Sequence, residues 1–469
     1  MKKYWILQYA TLWMIVALLS LLLASCVPSI ATLALEHTAT AASSNWLGYM
    51  LGSDRSNFNP TETIINPTTA AQLKLHWIAP GNSRVFSQPV VANGLIYWGS
   101  GDGFEHATDL NGHQVWLDNL GASHALCSNN PDDKNGVLDT ATVASMMLGG
   151  KSTSVLFVAG GNGIFYALNA ATGAIIWNTL LGTLPAHFLW SSPTLYNGKV
   201  YEGVSSLDDC PLVQGKLVQM DASTGVITHT FNTVPNRCLG GSIWSSPTID
   251  TAAGIIYVST GNSGSCSTEE PYAPALIKLR ASDLSVLDAW KVPLKDQVGD
   301  SDFGATPTLF DATIAGVKVQ MVGTVNKNGI YYAFNRIAIG HGPVWTSLAG
   351  GRFAVAPSAW DGKYLYLGGR RTKIQGMKCV GTFQALDPAT GAYLWRLCLS
   401  FGAVDGAITV VPGVAIVPDG TAFLAIATAT GRTLFTYSAK DVQFKGPASV
   451  CNGVLYIGSY TGGLYAFGL

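Results

Sequence analysis

The sequence is poor in charge. Only 12% of its 469 residues are Asp, Glu, Lys or Arg, about half the usual share of roughly 25%, which excludes a disordered chain or a coiled coil. The 27 Lys and Arg are balanced by 28 Asp and Glu. With no basic excess to neutralise phosphates, a nucleic-acid partner is not expected. No Cys-x-x-Cys-His occurs, so the sequence carries no covalent haem motif of its own. No Gly-x-Ser-x-Gly elbow is present and the eight His lack metal-ligand spacing. No stretch beyond the N-terminal two dozen residues offers the roughly 20 uninterrupted apolar residues that span a bilayer.

What is abundant points one way. Gly at 52, Pro at 21 and aromatics at 10% describe many turns and many short packed strands, the composition of an all-β protein. The N-terminus places Lys2 and Lys3 before an apolar run that, from Ala10 to Leu23, is broken only by Thr11 and Ser20. Leu23-Ala24-Ser25-Cys26 follows, and resembles the lipobox of bacterial lipoproteins. Residues 1–25 then read as a signal peptide, Cys26 as the lipidated residue and residues 27–44 as a tether to a domain at 45–469. Cleavage further along, or an uncleaved anchor, are the alternatives. Each version puts the domain on the extracytoplasmic face of a bacterial membrane.

Seven cysteines follow Cys26, and an oxidising compartment pairs cysteines. Cys379 and Cys398 lie almost symmetrically about the turn Asp387-Pro388-Ala389-Thr390-Gly391. Cys210 and Cys238 are symmetric about Thr224. Across a hairpin such residues face each other, so both pairs are expected as disulfides. Buried free thiols are the alternative. Cys127, Cys266 and Cys451 remain, and an odd number leaves at least one thiol.

A repeat runs through residues 45–469. One copy is Ser87-Gln88-Pro89-Val90-Val91-Ala92-Asn93-Gly94-Leu95-Ile96-Tyr97-Trp98-Gly99-Ser100-Gly101-Asp102-Gly103, closing with Asn111-Gly112 and Trp116. It reads strand, Asn-Gly turn, strand, Gly-rich turn, strand, turn, strand. The grammar returns at Trp190-Ser191-Ser192-Pro193, Trp244-Ser245-Ser246-Pro247, Ala305-Thr306-Pro307, Ala356-Pro357-Ser358 and Gly446-Pro447-Ala448. Units begin near 87, 137, 190, 243, 304, 353, 405 and 446, hence eight. The last holds three strands, and Leu73-Lys74-Leu75-His76-Trp77 has the pattern of a fourth. The expected fold is an eight-bladed β-propeller of four-stranded antiparallel blades, closed by an N-terminal strand that completes the last blade. Most Trp then serve blade packing.

These residues resemble the repeat of the quinoprotein alcohol dehydrogenase-like superfamily, whose eight-bladed propellers hold pyrroloquinoline quinone (PQQ) above a central funnel. The opening segment, Asn45-Trp46-Leu47-Gly48-Tyr49 and Asn57-Phe58-Asn59-Pro60, shares the likeness. The resemblance implies site roles. In Gly240-Gly241-Ser242-Ile243-Trp244, Trp244 takes the place of the ring under PQQ, for which a flat indole is suited. Thr260-Gly261-Asn262 is similar to the motif whose Asn oxygen ligates calcium, a hard ion that takes oxygen ligands. Asp300-Ser301-Asp302-Phe303-Gly304 resembles the stretch carrying the catalytic Asp, making Asp302 the general base and a metal ligand. In Asn326-Lys327-Asn328-Gly329, Lys327 and Asn328 fall in the segment whose basic residue reaches a quinone oxygen.

The sequence also departs from the pattern. Where the superfamily carries a calcium-binding Glu, it offers only Asp208 or Asp209. No two cysteines are adjacent, so the vicinal pair of many members is missing. Gly150-Lys151-Ser152 is similar to part of a phosphate-binding loop, but Ser145 stands where Gly is required. The implied function is oxidation of an alcohol with PQQ and calcium, electrons leaving to an external acceptor. The superfamily also contains outer-membrane assembly lipoproteins, so a non-enzymatic scaffold with protein partners is the alternative.

Overall fold

The computed structural model describes residues 45–469 apart from 131–133, 265 and 267–269. Cys26, the signal segment and the tether lie outside the described residues.

Eight antiparallel sheets follow one another along the chain, each of four strands, with one short extra strand, His187–Phe188, in the third. Blade 1 shows the pattern with Val90–Ala92, Leu95–Gly99, Phe104–Asp109 and Gln114–Asn119. Its first hairpin turns on Asn93-Gly94, both at positive φ, as a two-residue turn matched to strand twist requires. The closure is as the sequence predicts. Lys74–Ala79 pairs antiparallel with Leu464–Gly468 and becomes the outer strand of blade 8. The ring is thus shut by residues almost 400 positions apart.

Two recurring devices join the blades. The hydroxyl residue of the Ser-Pro or Thr-Pro step accepts the backbone N–H of the preceding blade: Thr140 N–H to Ser192 Oγ, Ser192 N–H to Ser246 Oγ and Ser246 N–H to Thr306 Oγ1, each 2.9 Å. The second device lies at the rim. The fourth-strand Trp lays its indole on the turn Gly of the next blade and donates Nε1–H to a carbonyl there, as Trp116 does to Ala170 at 2.9 Å and Trp177 to Ala222 at 3.0 Å. Trp345, Trp395 and Trp77 repeat it on Pro388, Thr428 and Leu110. The last of these is the closing seam, blade 8 onto blade 1.

Residues 46–62 do more than precede a strand. They run around one end of the ring and bond to the innermost strand region of every blade. Trp46 pairs with Val91, and the carbonyls of Leu47, Ser53, Asp54, Ser56 and Asn57 accept from Val143, Ile249, Leu309, Trp360 and Val410. Buried Arg55 reaches Thr194 and the Pro247 carbonyl in blades 3 and 4. Asn59 donates to Val450, and Glu62 accepts from Gly453, in blade 8. This strap lies against the first strands of the blades, and an axial cavity reaches it at Tyr49.

The cysteines correct one expectation. Cys379–Cys398 forms, but Cys210 pairs with Cys127 and Cys238 with Cys266, leaving Cys451 free and buried. The hairpin symmetry about Thr224 holds only as far as Lys216↔Asn232. Beyond it the two chains leave the sheet as loops, so Cys210 turns toward blade 2 and Cys238 toward blade 4.

Candidate active site

The mouth is built from two kinds of loop, the connectors between blades and the turns between second and third strands. Blades 2 to 5 supply a cavity of about 360 Å³ there, into which Asp208, Asp209, Asp302, Lys327 and Trp244 all project, together with Asp300. Five of the seven site residues singled out by sequence therefore share one cavity wall.

Local chemistry fixes each group. In the turn Asn326–Gly329, Asn326 Oδ1 accepts Asn328 N–H and Asn328 Oδ1 accepts Ile330 N–H, both at 2.9 Å. Gly329 has φ +92°, and a Cβ there would stand 2.4 Å from the Gly350 carbonyl, so only Gly fits. Lys327 is left at the turn's tip. Its N–H donates to Asp302 O at 2.9 Å and its carbonyl accepts Phe353 N–H at 2.7 Å. Its ammonium contacts Asp302 Oδ2 at 2.8 Å and both oxygens of Asp300 at 3.0 Å. It also stands 5.0 Å from the Trp244 ring centroid, a cation-π distance.

Asp302 is buried, with 4% of its surface exposed, and among the described residues its Oδ1 has no hydrogen-bond partner. Burial pushes its pKa up to about 6; Lys327 pulls it back, while Asp300 and Asp209 add repulsion. Burial opposes the charge on Lys327, but Asp302 and Asp300 outweigh it and hold its pKa above the ordinary value. Both groups are therefore mostly ionised at neutral pH.

Trp244 is held flat by Gly304, where a Cβ would lie 1.9 Å from the indole. Together with Trp190 it separates the mouth cavity from an axial cavity of about 240 Å³ that reaches Tyr49 of the strap. Asp208 and Asp209 occupy consecutive left-handed positions, φ +57° and +54°, a conformation Asp tolerates better than most residues. Asp209 accepts Ser206 Oγ–H at 2.5 Å, and Ser206 Oγ lies 3.1 Å from Ser242 Oγ.

Two sequence-assigned residues sit outside the cavity wall. Asn262 donates to Asp300 Oδ1 at 3.0 Å and its own Oδ1 accepts Ser301 N–H at 2.8 Å, so it braces the Asp300–Asp302 connector. Asn328 points away, donating to Asp296 O at 3.0 Å and Tyr332 Oη at 2.8 Å. Conversely, Asp300, Trp190, Ser206 and Ser242 line the cavity without having been assigned a role. Asp300 had a readable signal: two residues before Asp302 on an extended connector, it shares the same side.

Comparison with known proteins finds the same fold and repeat-family relatives. Residues 106–269 match the PQQ_2 family, described as outer membrane protein assembly factor BamB. The polyvinylalcohol dehydrogenase of Sphingopyxis sp. (strain 113P3) is 26% identical over 467 residues, covering 84% of this chain and 67% of the relative. The quinohemoprotein alcohol dehydrogenase of Comamonas testosteroni is 24% identical over 310 residues, but the match spans only 42% of that protein's length. Its crystal structure superposes with TM-score 0.70 at 18% identity, over 92% of this chain and 81% of that one. A europium-containing methanol dehydrogenase gives 0.73 at 15%, over 91% and 98%. BamB from Moraxella catarrhalis gives 0.54 at 14%, over 85% and 98%. At these identities the structures share the fold.

Proposed function

We propose that this eight-bladed PQQ-repeat propeller is an exported oxidoreductase that oxidises an alcohol with PQQ and a hard metal ion at the cavity of Asp302 and Lys327. The observation that carries the reading is convergence: a carboxylate with pKa near 6, a paired ammonium, a flat indole and further carboxylates, from separate blades, meet in one cavity. Names of relatives support the class, since polyvinylalcohol and quinohemoprotein alcohol dehydrogenases are among them.

The residues fit the cofactor. Trp244 offers a planar apolar face, Lys327 a positive charge beside it, and the cavity opens above both. The donor chemistry fits a hard cation such as calcium, because Asp208, Asp209, Asp300 and Asp302 present only oxygen and Asp302 Oδ1 is an unpartnered buried acceptor. Among the described residues no three acidic, His or Cys side chains form a ready-made metal cage; Asp302, Asp208 and Asp209 are the residues that would hold such an ion.

When bound, PQQ supplies the two-electron acceptor and the metal supplies fixed positive charge. The chain's own residues do the rest. Asp302, ionised at neutral pH, accepts the hydroxyl proton of the alcohol. Lys327 keeps Asp302 ionised and oriented, and Asp300 and Asn262 hold Lys327 and the connector in place. Trp244 and Trp190 form the floor that shields the site from the axial channel.

The scaffold alternative draws on the BamB match. Reconstitution decides: protein incubated with PQQ and calcium should bind the cofactor and reduce an electron-accepting dye with an alcohol. Absence of binding at micromolar PQQ leaves the scaffold. We place lipidation at Cys26 within the same proposal. Mass spectrometry of the membrane-bound protein should find an acylated Cys26 as the first residue, and an intact or differently cleaved N-terminus would refute it.

A further inference from the structure

One repeat position is filled differently in three consecutive blades. Trp190, Trp244 and Gly304 each stand two residues before a hydroxyl, Ser192, Ser246 and Thr306, that joins neighbouring blades. Trp244 lies flat because its indole rests where Gly304 has no side chain, and a Cβ there would stand 1.9 Å from Cη2. Trp190 has no such place to lie, since the corresponding residue of blade 4 is Trp244, with a side chain of its own. Its indole is tied instead to its own blade. Nε1–H donates to the Ser206 carbonyl at 3.3 Å, and the ring packs on buried Phe188 with centroids 4.6 Å apart. Ser206 is the residue whose hydroxyl bonds Asp209. Trp190 is thus fixed to the Asp209 side of the cavity, whereas Trp244 stands on the Lys327 side, 5.0 Å from that ammonium.

The rest of the cavity is polar. Among the described residues that line it, Trp190 and Trp244 alone carry no carboxylate, ammonium or hydroxyl. Both are half-buried, so each keeps part of its ring uncovered. A Trp that served packing alone would be enclosed, as Trp98 is at 1% exposure, or would bond across a seam, as Trp116 does. Trp190 does neither.

An alcohol presents a hydroxyl and a carbon skeleton, and the two need different surfaces. On the reading above Asp302 meets the hydroxyl and Trp244 meets the cofactor. The carbon skeleton is then left with one apolar surface in the cavity wall, the indole of Trp190. Methylenes laid against that face leave water on one side, which is worth about twofold in affinity for each, half the effect of full burial on a logarithmic scale. A polyol would bring hydroxyls to the same face, where they would lose water without gaining a partner.

We propose that Trp190 determines specificity by contacting the carbon chain of the alcohol, so that the site favours an apolar chain over methanol and over polyols; this rests on the oxidoreductase reading. The test uses the full chain loaded with PQQ and calcium, as the native sequence, Trp190→Ala and Trp190→Phe. From methanol to 1-hexanol, kcat/KM of the native protein should rise about twofold per methylene, through KM. Trp190→Ala should flatten that rise, and Trp190→Phe, which keeps an aromatic face, should retain most of it. Calorimetry with 2-methyl-2-hexanol reads binding without turnover, because the carbinol carbon of a tertiary alcohol has no hydrogen to lose. Trp190→Ala should weaken that binding about tenfold, with PQQ uptake, followed by absorbance, within a few-fold of native. Should Trp190→Ala not fold, Trp190→Gln, which keeps much of the volume without the apolar face, takes its place. An unchanged chain-length trend in the variant overturns the proposal, as does a native kcat/KM higher for glycerol than for 1-butanol. A native protein that takes up no PQQ, or takes it up and oxidises no alcohol, defeats the oxidoreductase reading and this proposal with it.

Discussion

Lys327 and Asp302 are joined twice, through the ammonium to Oδ2 at 2.8 Å and through the backbone N–H of Lys327 to the carbonyl of Asp302 at 2.9 Å. The main-chain bond sets the distance between turn and connector, so the side-chain bond forms without further ordering of either segment. Removing the ammonium leaves a buried carboxylate near Asp300 and Asp209. Lys327→Met should therefore raise the Asp302 pKa above 6 and move the acid limb of the pH–activity profile upward. Activity at pH 7 should fall by about 100-fold or more, the scale of a lost preorganised charge. An unmoved acid limb would show that Asp302 is not the titrating base.

Asp302→Asn keeps the shape and removes the proton acceptor. Dye reduction with an alcohol should fall by about 100-fold or more, while PQQ binding, read by fluorescence quenching, stays within a few-fold of the native protein. Equal loss of binding and turnover would make Asp302 a cofactor ligand without a basic role.

The closing seam is testable with two glycines. Gly112 has φ +86° and an added Cβ would lie 2.7 Å from the Trp77 ring, whereas Gly94 has φ +78° with open space around it. Gly94→Ala carries the backbone penalty alone, about 1 kcal/mol. Gly112→Ala adds the clash at the blade 8–blade 1 seam and should cost roughly 1–3 kcal/mol more, read as a lower midpoint in urea. Equal midpoints would mean that the seam yields freely.

Glu105 gives the pH dependence its sign. It is 1% exposed, and burial first, then Asp139 and Asp118, hold its pKa well above the carboxylate range. Its folded form holds a proton that the unfolded chain releases near pH 4.3, so its contribution to stability falls as pH rises above that value. Glu105→Gln should therefore melt higher than the native protein at pH 8, by roughly 1–3 kcal/mol of stability, with the gap closing near pH 4. A gap independent of pH would remove ionisation as the cause.

The two mouth cystines should prove separable from the ring. Peptide mapping is expected to recover Cys127–Cys210 and Cys238–Cys266, with no Cys210–Cys238 peptide. The double variant Cys127→Ser, Cys210→Ser frees the loop carrying Asp208 and Asp209. It should weaken PQQ and calcium binding about tenfold or more, the scale on which groups supporting a metal site act. Unchanged affinity would show that this loop does not serve the site.

Repeat spacing made the propeller legible, because each blade is written locally: a Ser-Pro or Thr-Pro step, an Asn-Gly hairpin, a turn Gly and a Trp recur at matching offsets. Even the closing strand could be read, since blade 8 lacked one strand and residues 73–77 had its pattern. The Cys210–Cys238 expectation failed for the same reason that the blades succeeded. Hairpin symmetry is a local rule, and beyond Asn232 the loops answer to neighbouring blades instead.

The sequence alone determined which segments are strands, how many blades there are and which stretches approach the mouth, since strand, turn and seam chemistry act over a few residues. Only the tertiary structure decided that Asp300 shares Lys327 with Asp302, that Asn262 braces from behind and that Asn328 faces elsewhere. It also showed that residues 46–62 strap all eight blades. Those relations join residues brought together by ring closure, and a side chain's direction at a loop is set by what the adjacent blade offers it.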